Sequence, residues 1–585
     1  MLRRTMAAVA VALSFLAGVH ADGRAINIST RCLLNGEQYE SREYVLGELG
    51  TCPSGVDLIV MPHMPFLSFR SEADLRPFAD FAKTRKSYLA LSLREESEGK
   101  TYFTAVLFGR DGKVVGRYRK THAFPDDKIA LGDGLPVFGT DFGKIGLSIT
   151  TDFYFPEVYQ VLMMKGADIL LWHQYPERLR DHSGMMPLLM ARCLDSHAHM
   201  VTAMYADPRT YITNRHSIGM PGAAWGRSMI LNRVGTPIAD TGYADGWATA
   251  RVDLDKRKVD VYPKQYKAEN IFFVNNFGDR TAFRPIAEPY RKPTLPVYTK
   301  RTCRLAVATF DRREIWRDRK EPELMLRMID QAAELKPDLL VLSEQGCSIA
   351  DKTTRKAMET VAAKAAQMKC YIAIAGVRDE TRYSICRVWD RSGKEIYAEP
   401  IYWPKGIRAI EVFDTDFGRV GAHTCGDLYI WEIDRVLALL GAEIIIDGSQ
   451  MWGASGRTNE TMLRARAIDN AAWVACCHWP SSDASMRSLI VDPYGQIMSS
   501  SKFQTNSIVQ YDIDLDDKRV YYAGRAEKQR KRGKQGIPSY YSENMPEQRR
   551  GWREMVFQAR RPELYGIIPT VNDVIRRYRP ERSDQ

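Results

Sequence analysis

The chain has 585 residues, too many for one hydrophobic core, so at least two domains are expected. Its 45% hydrophobic and 26% charged content excludes an intrinsically disordered chain. A net charge of +11 raises nucleic acid as a partner, but much of the local excess sits in Arg525 to Lys534, with no aromatic-interleaved motif or helix-turn-helix beside it; that run reads as a solvated basic loop.

At the start, Arg3 and Arg4 precede an apolar stretch from Met6 to Gly18 and small residues around Ala21. This predicts a signal peptide over residues 1–21 and a mature protein in the periplasm or outside the cell. No later segment has the ~18 consecutive apolar residues of a membrane span. Ten cysteines are too few for a disulfide scaffold, and no CxxC pair announces structural zinc. Cys32 and Cys52 are candidates for a bridge that sequence cannot pair, and Cys476-Cys477 lies in an apolar run suited to packing.

Next, Asp57 to Val60 is a short β-branched run leading to Met61-Pro62-His63, and Gly116 to Phe124 reads GRYRKTHAF. Residues 140–146 read TDFGKIG, followed by Ile149-Thr150-Thr151-Asp152 and a helix-period segment carrying Glu157. A strand (GADILLW, from Gly166), a helix containing ARCLD (Ala191 to Asp195), and Arg227-Ser228-Met229-Ile230 complete the series. His173, His182, His197, His199 and His216 invite a metal reading, but His197 and His199 would face opposite sides of a helix, and core or surface histidines are expected instead.

The proline-dense segment Pro285 to Pro296 reads as a linker, after which the series repeats. Asp338 to Val341 leads to Ser343-Glu344. TDFGRVG at 415–421 leads to His423-Thr424-Cys425-Gly426-Asp427 and Glu432, then GAEIIID from Gly441 and ARAID from Ala465 to Asp469. Spacing from the shared TDFG aligns Thr150 with Cys425. Two domains are therefore placed at about 24–290 and 300–585, each alternating strands and helices in an α/β sandwich.

A cysteine between a small-residue strand and a helix start is exposed to substrate, with backbone N–H groups that lower a thiol pKa and can hold an oxyanion. By itself a lone cysteine is more often a buried inert thiol. The strand ending at Glu344, the Cys425 elbow, the ARAIDN helix and the SLIVDPYGQI strand-turn (Ser488 to Ile497) together resemble, in order and over most of residues 303–516, the nitrilase superfamily of carbon–nitrogen hydrolases.

That resemblance implies tandem four-layer α-β-β-α sandwiches and a Glu-Lys-Cys site: Glu344 as base, Cys425 as nucleophile, and the Gly426 N–H with a lysine holding the oxyanion. Lys405 is the candidate lysine, in a loop shorter than its counterpart around Lys120. Domain 1 carries a degenerate set, His63, Lys120 and Thr150. No metal, nucleotide or flavin is called for, and the partner is a small amide-type molecule rather than nucleic acid or membrane. The halves are expected to pack as family homodimers do, with further homo-oligomerisation open. Two readings stand side by side: an exported amidase-type hydrolase with one live site, or a non-catalytic binding protein with two decayed ones.

Overall fold

The computed structural model describes residues 24–124, 128–175, 185–206, 226–255, 280–309, 321–344, 347–379, 384–400, 409–449, 456–478, 487–501, 506–516, 520–521 and 550–570. The signal segment, the basic run, His182 and His216 lie outside them, and so does Lys405.

In the first half the strands are β1 (Ala25–Leu34), β2 (Leu58–Phe69), β3 (Tyr88–Ser97), β4 (Lys100–Phe108), β5 (Val114–Arg119), β6 (Val137–Gly139) and β7 (Lys144–Ile149). They continue as β8 (Ile169–His173), β9 (His199–Ala203), β10 (Tyr205–Ala206), β11 (Met229–Leu231), β12 (Pro237–Asp240) and β13 (Gly246–Asp253). One sheet runs β10-β1-β2-β3-β4-β5 with β13 beside β1; the other runs β12-β11-β9-β8-β7-β6. Helices α1 (Arg42–Gly50) and α2 (Glu72–Arg85) bury Val45, Leu49, Leu75 and Phe78 against the first sheet. Helices α3 (Pro156–Met164) and α4 (Met185–Ser196) pack in the core of the second.

The second half repeats this plan. Its strands are β14 (Thr302–Thr309), β15 (Leu339–Leu342), β16 (Tyr371–Arg378), β17 (Ser384–Trp389), β18 (Glu395–Pro400) and β19 (Val412–Asp414). Then come β20 (Arg419–Thr424), β21 (Ile444–Ser449), β22 (Trp473–His478), β23 (Leu489–Val491), β24 (Ile497–Ser500) and β25 (Ser507–Asp514). The sheet orders are β18-β17-β16-β15-β14-β25 and β19-β20-β21-β22-β23-β24. Helices α5 (Glu321–Ala333) and α6 (Lys352–Met368) cover the first sheet, and α7 (Trp431–Leu439) and α8 (Gly456–Asn470) lie on the second. The expected four-layer sandwich is present twice.

Local chemistry explains why the elements start and stop where they do. Asp351 caps α6 by accepting from Thr353 N at 3.1 Å, and Asp74 accepts from Ser71 N at 3.0 Å at the start of α2. Both helices stop at a lysine in the left-handed region, Lys86 (φ 53°) and Lys369 (φ 54°). Strand β15 is buried along its whole length because helices cover one face and the partner sheet the other.

The halves meet through α3 and α4 against α7 and α8, as an internal pseudo-dimer. Arg192 forms a bidentate pair with Asp469 (2.7 and 2.9 Å), and Arg466 forms the same pair with Asp195 (both contacts 2.8 Å). These are equivalent positions of the repeat, so residue i meets j while j meets i, as a two-fold interface requires. Each guanidinium also donates to the carbonyl just beyond an elbow, Phe153 O at 3.0 Å and Leu428 O at 3.1 Å. The symmetry breaks one helical turn away. Arg435 pairs with Glu157 at 3.0 Å, whereas its counterpart Gln160 donates to Glu432 at 3.3 Å. Glu432, the elbow-helix glutamate, is instead neutralised by Arg280, and Glu157 gains Arg560. Burial raises the Glu432 carboxyl despite Arg280; at Glu157 burial is outweighed by Arg435 and Arg560, which lower it.

The bridge left open by the sequence is absent. Cys32 and Cys52 are free thiols, as are all ten cysteines, and burial pushes both up to about 11. Among the described residues no helix is long and apolar enough to cross a membrane.

Candidate active site

Strand β20 ends at Thr424, and Cys425 opens a 3-10 turn over Cys425–Tyr429. Cys425 has φ 57°, and Thr150, opening the turn Thr150–Tyr154 at the end of β7, has φ 45°. A non-glycine residue in this region costs on the order of 1–2 kcal/mol, so the surroundings must hold it there. An aspartate does so in each half: Asp427 accepts from Thr424 N at 3.2 Å, and Asp152 from Ile149 N at 2.9 Å. Asp152 also accepts from the Tyr118 hydroxyl at 2.7 Å and from His122 N at 2.9 Å.

The two elbows differ in access. Eight of the ten cysteines are buried, whereas Cys425 is half-buried. Thr150 is 2% exposed, and its hydroxyl has no hydrogen-bond partner among the described residues.

Strand register matches the candidate bases. Leu339 pairs with Tyr371 and Leu58 with Tyr88, which puts Glu344 and His63 at the same position of the repeat. Glu344 is half-buried just beyond β15 and accepts from the Ser384 hydroxyl at 3.4 Å. The end of β15 meets the end of β20 through Gly448, which pairs with Thr424. A Cβ built on Gly448 would stand 2.1 Å from Ala375 Cβ and 3.5 Å from Leu342 O, so only glycine lets the sheets approach here. Glu344 and Cys425 thus lie on one rim of the sandwich.

In the first half the residue at the Gly448 position is His173, whose Nδ1 lies 2.6 Å from Met61 O. An imidazole stands where the second half has only backbone. His63 bonds Ser92 through Nδ1 at 2.8 Å, and burial, followed by the charge of Lys120 and then His173, holds it well below the usual imidazole range. Burial pushes His173 down to about 4. Lys120 is fully buried, with Nζ 5.5 Å from the centre of the Phe103 ring. His197 and His199 are buried too, at the end of α4 and in β9, as core histidines.

The second-half counterpart of the Lys120 position is given by count alone. Arg119 pairs with Thr104 and Pro400 with Ile385, so the position of Lys120 falls on Ile401, four residues before Lys405. Both Ile401 and Lys405 lie outside the described residues.

Sequence reading missed a buried polar row beneath the Cys425 elbow. His423 on β20, Asp447 on β21 and Cys476 on β22 are cross-strand partners, with His478 two residues further along β22. Asp447 Oδ2 lies 3.2 Å from His478 Nε2 and 3.5 Å from Cys476 Sγ; Asp447 Oδ1 lies 3.7 Å from His423 Nδ1, and His423 Nε2 lies 3.3 Å from Asp434 of α7. The signal was weak because Asp447 is 29 residues from Cys476, and only sheet register joins them. The first half has Ser148, Trp172, Thr202, Met204 and Tyr159 at these positions, where Ser148 and Tyr159 share a hydrogen bond of 2.9 Å.

Comparison with known proteins agrees with this duplicated plan. The carbon–nitrogen hydrolase family model matches residues 46–259 and again 305–522. The chain is 27% identical over 280 residues to the Hydrolase C26A3.11 of Schizosaccharomyces pombe, spanning 43% of this chain and 83% of that protein. It is 29% identical over 181 residues to the Omega-amidase NIT2 of Homo sapiens, spanning 28% of this chain and 60% of the relative, under two thirds of its length. Among solved structures, Saccharomyces cerevisiae Nit3, a member of branch 10 of the nitrilase superfamily, is similar at 19% identity and TM-score 0.34, over 42% of this chain and 97% of that one.

Proposed function

This chain belongs to the carbon–nitrogen hydrolase family, and we propose that its second half cleaves a non-peptide amide through a thioester on Cys425, while the first half serves packing alone. The observation that carries the proposal is the half-buried Cys425 in a left-handed elbow on the same rim as Glu344. In the first step the Glu344 carboxylate takes the Cys425 proton as sulfur attacks the carbonyl carbon. The oxyanion is met by the Gly426 N–H and by a lysine, assigned to Lys405. Collapse of the tetrahedral adduct breaks the C–N bond, and Glu344 returns its proton to the departing ammonia or amine. A water then gives a proton to Glu344 and adds to the thioester, releasing the acid and the thiol.

The amidases among the relatives support a small amide as substrate, and the apolar N-terminal stretch supports export. A buried Thr150 with a neutral His63 is a poor nucleophile and base pair, because a secondary hydroxyl ionises far less readily than a thiol near neutral pH.

The test is thiol labelling with a small haloacetamide near neutral pH, run beside release of ammonia from short aliphatic amides and nitriles. Labelling is expected at Cys425, to be slowed by substrate and accompanied by turnover. A folded protein in which Cys425 stays unlabelled and no amide or nitrile is hydrolysed overturns the reading in favour of a binding protein.

A further inference from the structure

The polar row under the Cys425 elbow has the composition and spacing of a metal centre. We propose that Asp447, Cys476 and His478 bind one divalent, thiophilic transition-metal ion, zinc by preference, which fastens β21 to β22. This inference rests on these side chains and not on the amidase reading.

Geometry comes first. The three ligand atoms all lie within 4.8 Å of one another, with Asp447 Oδ2 at 3.2 Å from His478 Nε2 and 3.5 Å from Cys476 Sγ. A tetrahedral ion at about 2.0–2.1 Å from oxygen and nitrogen and about 2.3 Å from sulfur separates its ligands by roughly 3.3–3.5 Å. The two measured separations fall close to that range. The donor set then selects the ion: thiolate, imidazole and a single carboxylate suit zinc and disfavour calcium or magnesium, which take oxygen.

The surroundings orient the ligands. The second oxygen of Asp447 accepts from the Ser449 hydroxyl at 2.5 Å, which turns Oδ2 toward Cys476 and His478. His423 Nδ1 has no hydrogen-bond partner among the described residues and faces the same carboxylate, while its Nε2 lies against Asp434. A carboxylate behind an imidazole is an arrangement that supports histidine as a metal ligand. None of Asp447, Cys476, His478, His423 or Asp434 is more than 2% exposed.

The first half is an internal control. It builds the same sheet with Trp172, Thr202 and Met204 in place of the three ligands. The fold therefore does not need the cluster, and its ligand-type residues are specific to the half that carries Cys425.

Because the site is buried, metal must enter as the chain folds. The experiment denatures the full-length protein in chelator, refolds it with Zn2+ or Co2+ alone, and measures bound metal after dialysis. About one ion per chain is expected, and the cobalt form should show a thiolate-to-metal charge-transfer band. Cys476→Thr and His478→Met, which introduce residues the first half already tolerates, should reduce bound metal at least tenfold, whereas Cys425→Ser should retain it fully. Refolded wild type holding neither ion, or metal content unchanged in both ligand variants, overturns the inference. Should either variant misfold, the wild-type cobalt spectrum decides, because a bound ion without the thiolate band also overturns it.

Discussion

The two halves follow one path with different chemistry at its end. Both reach a left-handed elbow after a parallel strand, both hold it with an aspartate three residues after the strand's last residue, and both support the next turn with an arginine from their own helix that is paired across the interface. They part at the side chains that face the rim. The second half has a half-buried thiol, a carboxylate and a glycine that lets the sheets close; the first has a buried threonine, a neutral imidazole and a second imidazole in the glycine's place. The difference teaches that the elbow is a property of the interface and of Asp152 and Asp427. It is present with Thr150 as with Cys425, because the arginines that support the next turn also pair across the interface.

That contrast can be broken most sharply at the nucleophiles. Cys425→Ser should lower amide turnover by about 10³-fold or more, because a hydroxyl replaces an ionisable thiol, whereas Thr150→Ser should leave kcat within about twofold by the same argument. A large loss from the threonine variant would show that the first half takes part in catalysis.

The interface offers the next largest effect. Arg466→Ala and Arg192→Ala each leave a buried aspartate unpaired and should destabilise the protein by about 3–5 kcal/mol. Pseudo-symmetry requires the two losses to be similar, which denaturant unfolding of both variants can check. A loss for only one would mean that the halves are not equivalent at their contact.

Acid should loosen the first half before the second. Burial holds His173 and His199 near 4 and His197 near 3, and His63 well below its ordinary value. Each is lower in the folded chain than the unfolded value near 6.5, so folding favours the neutral form. Stability is complete above pH 6.5 and is lost as pH falls toward 4, by up to about 1.4 kcal/mol per pH unit for each imidazole. The second half has two histidines, His423 and His478, both beside carboxylates. Hydrogen exchange at pH 5 against pH 7 should show the first half opening first.

Gly448→Ala should have the smallest effect, about 1–3 kcal/mol of destabilisation, as Ala375 and β21 are forced apart. A drop in kcat without a matching change in KM would sharpen the comparison, since the added Cβ shifts the rim and not the substrate walls.

The sequence by itself determined the duplication, the sandwich and the strand-end positions of Cys425, Glu344 and Thr150. These depend on local patterns: apolar runs, turn residues and the spacing from TDFG. It placed Glu432 on the helix after the elbow but did not give Arg280 as its partner. Only the tertiary structure decided that Arg192 meets Asp469 while Arg466 meets Asp195, that Cys32 and Cys52 stay apart as thiols, and that Asp447, Cys476 and His478 converge. The physical reason is that neighbours across a sheet or an interface are chosen by register and docking, and a one-residue slip in register would send each of those side chains to the opposite face.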